Sequence, residues 1–447
     1  MQAYFRALLL IGFLVALVAA VPAPHPVQKR GVFKVERTIN PNFKGRNGPK
    51  QLLKSLRKYR MKVPPALMDA IRNQGSTTTE SVALVEDKAT KHHQGKNKGN
   101  DAAAAASSSS PNTTVAAATN GTGMVTATPE QGDVEYLSPV TIGGQTMNMD
   151  FDSGSSDLWV FSTELDATST AGHTVYDPNK STTLKMIQGA TFSISYGDGS
   201  GAAGNVGTDT VNIGGATVTS QAVELATTVA ASFVEDTNSN GLVGLAYSKL
   251  NTVQPQQQKT FFDNVKESLA EPVFTADLRP GAVGAYTFGS IDSSKFNGTM
   301  SWVAVNTTQG FWQFSSTKFA VGTGEAQTGD ASGQAIADTG TTLIIANPTT
   351  VNGYYSQVQG AANDEQVGGI TVPCDAELPD LMLDIGGSFM ARVKGADINY
   401  AQVSGNTCFG GVQASTSDLQ IYGDIFFKSQ FVAFNNGNNS LGMAEHL

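Results

Sequence analysis

A motif built around an aspartate occurs twice in this 447-residue chain. The stretch Met149-Asp-Phe-Asp152-Ser-Gly-Ser-Ser returns 186 residues later as Ala335-Ile-Ala-Asp338-Thr-Gly-Thr-Thr. Each copy is followed, at a similar distance, by two apolar residues and a glycine: Leu242-Val-Gly244 and Ile421-Tyr-Gly423. A single Asp-x-Gly would be an ordinary turn. Two ordered pairs predict two homologous lobes, each of which places one aspartate where the lobes meet.

The sequence beyond residue 120 predicts an all-β protein. Short runs rich in Val, Ile, Thr and Phe, such as 191–196, 208–213 and 314–319, are separated by Gly, Asn and Asp. The 47 glycines and the low content of charged residues, 15%, fit a β-rich globular chain better than a helical bundle. We expect only a few short helices, among them one at 260–270.

Two carboxylates in one cleft have a specific chemistry. When they lie within roughly 3 Å of each other, repulsion between like charges prevents both from ionising, so the pair shares one proton. The ionised member can then take a proton from water while the protonated member donates to a carbonyl oxygen. Asp152 and Asp338 therefore predict direct attack of water on an amide.

The residues beside the two aspartates support this interpretation. The glycine that follows each Asp-hydroxyl pair, Gly154 or Gly340, allows a tight turn whose N–H can donate to a carboxylate. The first hydroxyl of each motif can bond across the lobes, and the second can reach the nearby carboxylate. These hydroxyls belong to Ser153 and Thr339, and to Ser155 and Thr341.

Together these motifs resemble the pepsin-like aspartic endopeptidases, in particular the secreted fungal penicillopepsin and aspergillopepsin group. The resemblance runs from about Tyr136 to the C-terminus, through the stretches 136–143, 152–160, 196–200, 338–342 and 422–427. It implies a bilobal β fold, a monomer, a long cleft for a polypeptide in extended conformation, and neither a metal nor an organic cofactor. It also implies that Asp152 and Asp338 are the catalytic dyad. Ser153 departs from the family pattern, where Thr is usual, and we expect slightly looser packing beside the dyad without loss of mechanism.

The resemblance also implies a flap over the substrate. Tyr196-Gly-Asp-Gly is typical of a hairpin tip, and in the family this hairpin closes the cleft. Tyr196 would pack over the residue that precedes the scissile bond, with its hydroxyl bonded to Trp159, while the backbone amides of Gly197 and Asp198 reach the peptide. In similar fungal enzymes an aspartate at the place of Asp198 helps to accept Lys before the scissile bond, in addition to large apolar residues.

Two further residues are candidates for substrate contact. Phe233 resembles an aromatic residue that lines the cleft, although an ordinary core phenylalanine fits the sequence nearly as well. Thr341, beside the second aspartate, is the other candidate.

The cysteines and histidines limit other kinds of site. Cys374 and Cys408 are the only cysteines, and in a secreted chain they predict a disulfide in the second lobe. His173 and His446 are the only histidines after residue 100. These two residues therefore leave almost no histidines from which a Ser-His-Asp hydrolase or a histidine-ligated metal site could be built.

The net charge of −9 conceals a strong asymmetry. Residues 21–100 hold 17 Lys and Arg against 5 Asp and Glu, a balance of +12, whereas residues 101–447 hold 11 against 33, a balance of −22. The two parts should attract each other. A basic domain for nucleic acid is the other interpretation of such runs, but the resemblance implies no nucleic-acid partner.

The basic segment resembles the propeptides of the family, which lie across the cleft and act as intramolecular inhibitors. The similarity is carried by 32–37 and 52–60. Lys58 and Tyr59 are the candidates for facing the dyad, with the ammonium pairing the carboxylates, and Lys54 or Lys62 could serve instead. The alternative is a solvated basic helix without inhibitory contact.

The N-terminal part of the sequence contains a targeting segment and a linker. Residues 1–20 predict a secretory signal peptide, because Arg6 precedes an apolar run too short to span a bilayer comfortably. Residues 21–118 form the expected propeptide, which ends in an Ala- and Ser-rich linker that should be exposed and cleavable. The lobes are then predicted at 119–300 and 301–447.

The product is expected to be soluble and extracellular, with a vacuolar location as the less favoured option. No later run approaches 18 apolar residues, so no membrane partner is predicted. Asn-x-Ser/Thr triplets compatible with the secretory route occur at Asn112, Asn120, Asn179, Asn297, Asn306 and Asn438.

Two functions of different classes fit these features. One is an acid endopeptidase made as a zymogen, and the other is a catalytically silent homologue that binds peptides or cell walls. The presence of both aspartates and the flap tyrosine favours the endopeptidase.

Overall fold

The computed structural model describes residues 45–75, 115–116, 121–130, 132–195, 201–330 and 333–447. The predicted signal peptide, most of the linker, the stretch 32–37 and the flap residues Tyr196, Gly197 and Asp198 lie outside the described residues. All described residues belong to one unit, which runs from Arg37 to Leu447.

Strands dominate the described part of the chain, as the predicted all-β class requires. They form one sheet of 14 strands, one of 5 strands and two of 4 strands. Their bounds are β1 Val115–Ala116, β2 Gly123–Pro129, β3 Tyr136–Ile142, β4 Gln145–Asp152, β5 Leu158–Phe161, β6 Lys185–Ser195, β7 Gly201–Ile213, β8 Ala216–Val229, β9 Gly241–Gly244, β10 Val273–Arg279, β11 Ala282–Phe288, β12 Ser301–Ala304, β13 Gln313–Ser315, β14 Lys318–Val321, β15 Gln327–Thr328, β16 Gln334–Ala337, β17 Ile344–Ala346, β18 Ala362–Asp364, β19 Gly369–Pro373, β20 Leu381–Ile385, β21 Phe389–Val393, β22 Asn399–Ser404, β23 Thr407–Gly410, β24 Val412–Ala414, β25 Leu419–Tyr422, β26 Gln430–Asn435 and β27 Ser440–Glu445.

The helices in the described part of the chain are short. The two longest, α1 Gly48–Lys58 and α2 Pro65–Gly75, lie in the basic segment, and the others are α3 Ala231–Glu235, α4 Phe261–Val265, α5 Pro348–Tyr355, α6 Gly395–Ile398 and α7 Asp424–Phe427. The helix expected at 260–270 is present as α4, which a short 3₁₀ turn, Lys266–Ser268, extends. None of the described helices is long and apolar enough to cross a membrane.

The internal repeat of the sequence is also a repeat of strand pairing. In the first copy, β4 runs parallel to β9, β9 is antiparallel to β5, and β5 is parallel to β8. In the second copy, β16 runs parallel to β25, β25 is antiparallel to β17, and β17 is parallel to β24. The two halves therefore share one local topology, in which the repeated aspartate lies at the end of a strand paired with the repeated apolar-Gly element.

The two predicted lobes also share a sheet. Strand β10 is antiparallel to β26, and β27 continues the same sheet to β12. On its other side β10 pairs with β11, which pairs with β2. Strands from both sequence ranges therefore form one continuous support beneath the repeated motifs.

One predicted strand is interrupted. The run 314–319 divides between β13, which pairs with β16, and β14, which pairs with β20. Asp384 accepts hydrogen bonds from the backbone N–H of Thr317 at 2.9 Å and from its hydroxyl at 3.0 Å, where the chain passes from one sheet to the other. The apolar pattern alone does not show this change of sheet.

The basic segment is packed into the core by α1. Asn47 caps this helix by accepting the N–H of Lys50 at 3.0 Å, and Pro49 lies in its first turn, where its missing N–H costs nothing. Leu52 and Leu56 recur at helical spacing and are buried in the main hydrophobic core. The helix is therefore docked and not solvated.

The predicted disulfide is present. Cys374 and Cys408 are bonded, with their Cα atoms 4.9 Å apart. It joins the start of the loop after β19 to β23 in the second half of the chain.

Candidate active site

Asp152 and Asp338 occupy equivalent places in the two halves. Asp152 is the last residue of β4, and Asp338 directly follows β16. The second repeated element fixes each backbone, because Leu245 N donates to Asp152 O at 2.8 Å and Asp338 N donates to Tyr422 O at 3.0 Å. Both side chains are buried, and a single ammonium nitrogen, that of Lys58, lies within 3.0 Å of an oxygen of each carboxyl group. The fold thus brings together two aspartates that lie 186 residues apart.

Each carboxyl group has two donors from its own motif. Gly154 N donates to Asp152 Oδ1 at 2.8 Å, and the Ser155 hydroxyl donates to Asp152 Oδ2 at 2.6 Å. In the second motif Gly340 N donates to Asp338 Oδ1 at 3.0 Å, and the Thr341 hydroxyl donates to Asp338 Oδ2. These donors fix the orientation of both carboxyl groups.

The hydroxyls of Ser153 and Thr339 connect the two motifs. Ser153 N donates to Thr339 Oγ1 at 3.1 Å, and Thr339 N donates to Ser153 Oγ at 3.0 Å. Each hydroxyl in turn donates to a backbone oxygen of the other half, Ser153 to Ala337 O at 2.9 Å and Thr339 to Phe151 O at 2.6 Å. Serine makes the same pair of bonds as threonine here.

The two motif glycines are needed for space. Neither Gly154 nor Gly340 has a positive φ, so the tight turn expected from the sequence does not itself demand glycine. A Cβ at Gly154 would lie 2.5 Å from Asp338 Oδ1, and one at Gly340 would lie 2.3 Å from Asp152 Oδ1. Each motif packs so closely against the opposite carboxyl group that a side chain would collide with it.

Lys58, at the end of α1, reaches both aspartates. Its Nζ lies 2.8 Å from Asp152 Oδ1 and 3.0 Å from Asp338 Oδ2, and the side chain is 6% exposed. The Tyr59 hydroxyl donates to Asp338 Oδ2 at 2.6 Å, and its ring packs edge to face on Phe311. The basic segment therefore fills the space directly above the carboxyl pair.

These contacts separate the pKa values of the pair. Burial raises the pKa of Asp152 above its usual value, although the positive charge of Lys58 opposes the effect. Burial alone would also raise the pKa of Asp338, but the charge of Lys58 and the surrounding hydrogen bonds outweigh it and lower that pKa to about 2. Burial would lower the pKa of Lys58, yet the two carboxylates raise it, so the ammonium keeps its charge.

Comparison with known proteins identifies the family. The sequence profile of the eukaryotic aspartyl proteases matches residues 135–446, which include both motifs. The chain belongs to this family. It is therefore an aspartic endopeptidase by family membership, and its all-β, bilobal fold is the pepsin-like fold that the sequence predicted.

Fungal relatives agree with this membership. Penicillopepsin-1 of Penicillium janthinellum is 50% identical over 325 residues, which cover 72% of this chain and 98% of the relative. Endothiapepsin of Cryphonectria parasitica is 43% identical over 421 residues, 93% of this chain and 90% of its own length. Aspartic protease PEP3 of Coccidioides posadasii is 42% identical over 449 residues, 98% and 95% of the two chains.

Trp159 and Phe233 lie together beside the first aspartate motif of this aspartyl protease. Trp159 is fully buried in β5, and Phe233, in α3, is half-buried against it with ring centroids 5.0 Å apart. The strands that lead to the predicted flap, β6 and β7, form an antiparallel pair in which Ser195 faces Gly201. The flap residues between them are outside the described residues.

Lys54 and Lys62, the alternatives to Lys58, are placed differently. Lys62 is exposed. Lys54 lies one helical turn before Lys58 and faces other buried carboxyl groups. Burial raises the pKa of Asp150 to about 7, and Lys54 opposes this increase. Burial likewise raises the pKa of Asp424, again against the charge of Lys54. Lys54 and Lys58 are four residues apart on α1, so they lie on one face of the helix. The sequence spacing alone indicates this arrangement.

One group of carboxyls among the described residues is spaced closely enough to share a cation. One oxygen each of Glu130, Glu135 and Asp236 lies within 4.8 Å of the others. Burial and the charge of Asp236 raise the pKa of Glu130 to about 8 and that of Glu135 well above its usual range. The raised pKa values favour the protonated forms of Glu130 and Glu135.

The bonds between the motifs lead to a stability prediction. Thr339→Val should lower the free energy of unfolding by about 1 to 3 kcal/mol, because it leaves the buried Ser153 N without its partner and removes one of two donors to Phe151 O. Thr339→Ser is the matched control, since Ser153 makes equivalent bonds, and it should cost no more than about 1 kcal/mol for the lost methyl. Urea unfolding of the full chain at neutral pH measures both. Equal stability of the two variants would contradict a role for these bonds.

Proposed function

We propose that this aspartyl protease is made as a secreted zymogen whose Asp152 and Asp338 hydrolyse peptide bonds after the basic segment leaves the cleft. The observation that carries the proposal is the ammonium of Lys58, within 3.0 Å of an oxygen of each carboxyl group. A cation in this place neutralises the pair and occupies the space that a water and a substrate carbonyl need.

The chemistry follows from a pair that shares one proton. With Lys58 absent, like-charge repulsion leaves one carboxyl protonated and the other ionised. The ionised group accepts a proton from a water held between the two, and that water attacks the carbonyl carbon of the substrate. The protonated group donates to the carbonyl oxygen, so charge does not accumulate there. The donors from Gly154, Ser155, Gly340 and Thr341 hold both carboxyl groups in position throughout.

The docked helix supports the assignment of residues 21–118 as an inhibitory propeptide. Leu52 and Leu56 are buried in the main core, which a solvated helix would not require. Arg46 adds an ion pair with Asp133 at 3.6 Å. Removal of residues 1–20 and cleavage in the Ala/Ser-rich linker would then give a monomeric extracellular product with lobes at 119–300 and 301–447.

The substrate is proposed to be an extended polypeptide with large apolar residues around the scissile bond. Tyr196, Gly197 and Asp198 of the flap, together with Phe233 and Thr341, are the proposed contacts. Phe233 is supported by its half-buried position against Trp159, beside the first aspartate motif. Asp198 is proposed to admit Lys before the scissile bond.

The test uses two peptides that differ only in having Leu or Lys before the scissile bond. The full chain, converted at acid pH, should cleave both, and a statine-type mimic of the tetrahedral intermediate should block both reactions. A catalytically silent homologue would bind the peptides and cleave neither, and that result would overturn the proposal.

The same peptides test Asp198. In the Asp198→Ala variant, cleavage of the Lys peptide should fall at least about tenfold, because a carboxylate matters only where a cation must be held. Cleavage of the Leu peptide should change little. Equal losses on both peptides would show that Asp198 is only a turn residue.

A further inference from the structure

Two carboxyl groups face each other directly behind the first aspartate motif. Asp157 directly follows this motif, and Glu224 lies on β8, where it pairs with Trp159 of β5. Each is 1% exposed. The side-chain amide of Asn251 donates to both, at 2.9 Å to Asp157 Oδ1 and 3.0 Å to Glu224 Oε1.

The other oxygen of each group has no donor in the described part of the chain. These oxygens are Asp157 Oδ2 and Glu224 Oε2, and both are buried. Thr252 adds its N–H and hydroxyl to Asp157, but to Oδ1, at 2.8 and 3.1 Å. A buried carboxylate oxygen without a donor is costly, so each of the two leftover oxygens needs a hydrogen.

No cation of the described residues compensates this pair. Neither Asp157 nor Glu224 forms an ion pair with any of the lysines, arginines or histidines placed in the structure. The elements packed around them present Trp159 from β5 and the neutral side chains of Asn251 and Thr252. The charge of Asp152, which is also negative, acts on Asp157 as well. Two adjacent negative charges would therefore repel each other without a counter-charge.

We propose that Glu224 is a positioning residue for the active site, which stays protonated and donates from Oε2 to Oδ2 of an ionised Asp157. One proton then satisfies both leftover oxygens and leaves a single negative charge, which the amide of Asn251 and the donors of Thr252 share. The bond joins β8 to the loop that carries the first catalytic motif.

The protonation states agree with this geometry. Burial raises the pKa of Glu224 well above its usual range, and the charge of Asp157 raises it further. Burial also raises the pKa of Asp157, but the hydrogen bonds from Thr252 oppose the shift. Glu224 is thus the partner that keeps the proton.

A few hydrogen bonds connect Asp157 and Glu224 to the backbone of the dyad. Asn251 also donates to Ser156 O at 3.2 Å, and Gly244 N donates to Asp157 O at 2.8 Å. The next residue, Leu245, donates to Asp152 O. Loss of the proton would drive Asp157 and Glu224 apart and would pull on the same loop that orients Asp152.

The sign of the pH dependence follows from the raised pKa of Glu224. A group that binds its proton more tightly in the folded chain stabilises the fold below its unfolded pKa, about 4.3, and this stabilisation is lost as pH rises toward the folded value. For one such proton, the equilibrium constant for unfolding increases about tenfold per pH unit in that window.

The test compares Glu224→Gln with wild type and with Glu267→Gln, a control at an exposed glutamate. Glutamine keeps the shape and supplies a permanent N–H donor to Asp157 Oδ2. Urea unfolding of the full chain is measured from pH 5 to pH 8. We expect the unfolding constant of Glu224→Gln to increase about tenfold less per pH unit than that of wild type and of the control. Identical slopes for all three proteins would overturn the proposal.

Two further measurements separate positioning from bulk stability. Glu224→Leu, which cannot donate, should be destabilised at every pH, whereas Gln should restore stability. After acid conversion, the limb of the kcat profile at high pH should shift upward in Glu224→Gln, a result that rests on the proposed dyad. An unshifted limb in an active Glu224→Gln enzyme would overturn the positioning role. Unfolding slopes require no turnover, so they test the shared proton even if the dyad assignment fails.

Discussion

Asparagine in place of either Asp152 or Asp338 is expected to reduce the kcat of peptide hydrolysis by roughly 10⁴-fold or more. An amide side chain cannot accept the proton of the attacking water. It also cannot transfer a proton to the carbonyl oxygen and regain it within one catalytic cycle. In the proposed mechanism the two carboxyl groups share one proton and work as a unit, so the double variant should be little worse than either single variant.

The fold should survive these changes. Asparagine keeps an oxygen for the N–H of Gly154 or Gly340, so the bonds within each motif remain available. Circular dichroism and urea unfolding verify the fold, and conversion in trans by a small amount of wild type supplies the mature form. Asp418→Asn, at an exposed aspartate, is the control and should keep wild-type turnover. Near-normal kcat in either dyad variant would refute the assignment.

The fold class could be predicted because the repeat carries information at long range. Two copies of an aspartate motif and of its apolar-Gly partner specify the same three-strand pairing twice, and β4 with β9 and β16 with β25 have this pairing. Local patterns were less informative. The run 314–319 has the composition of a strand, yet Asp384, which is distant in sequence, binds Thr317 where the chain changes sheets.

The candidate site shows the same division between marked and unmarked residues. The motif marks Asp152 and Asp338 because their chemistry needs both. It does not show why glycine follows them, since the collision that excludes a side chain comes from the opposite half. Glu224 was missed for a similar reason. The only signal is a glutamate inside the apolar run 222–226, and its partner Asp157 is distant in sequence.

Conversion of the zymogen is expected to occur at higher pH, by about one unit or more, when Lys58 is replaced by glutamine. In the proposed zymogen, Lys58 stabilises the docked state by bridging the two buried carboxyl groups. Glutamine leaves the pair free to take up its shared proton near the pH at which the free dyad does so. The segment then retains its apolar contacts and loses its most buried ion pairs.

The pKa shifts define the order in which the contacts fade. A depressed pKa means that the Asp338 bond to Lys58 contributes fully above the undocked pKa and is lost only as pH falls toward about 2. Asp150, whose pKa is raised to about 7, takes up its proton first, so the attraction of Lys54 fades between neutral pH and mild acid. Lys58 is thus the last charge to release, and removing it should have the largest effect.

Apolar packing limits the size of the effect. Leu52, Leu56 and Leu67 are buried whatever the pH, and each contributes about 1.5 to 3 kcal/mol to docking if fully covered. The Lys58→Gln zymogen should therefore remain intact at pH 7, with its conversion midpoint moved upward. Adding Leu56→Ala should move the midpoint further, because it removes a part of docking that protons do not control.

Gel analysis of the full chain from pH 3 to pH 7 measures the midpoint, with Lys62→Gln as the matched control. Lys62 is exposed, carries the same charge and lies four residues from Lys58, so its loss changes the net charge equally without touching the dyad. If net attraction between the basic segment and the acidic body were the main force, both variants would shift alike. If the contact with the carboxyl pair is the main force, only Lys58→Gln shifts. If wild type were converted fastest at pH 7, that result would contradict release of the basic segment by acid.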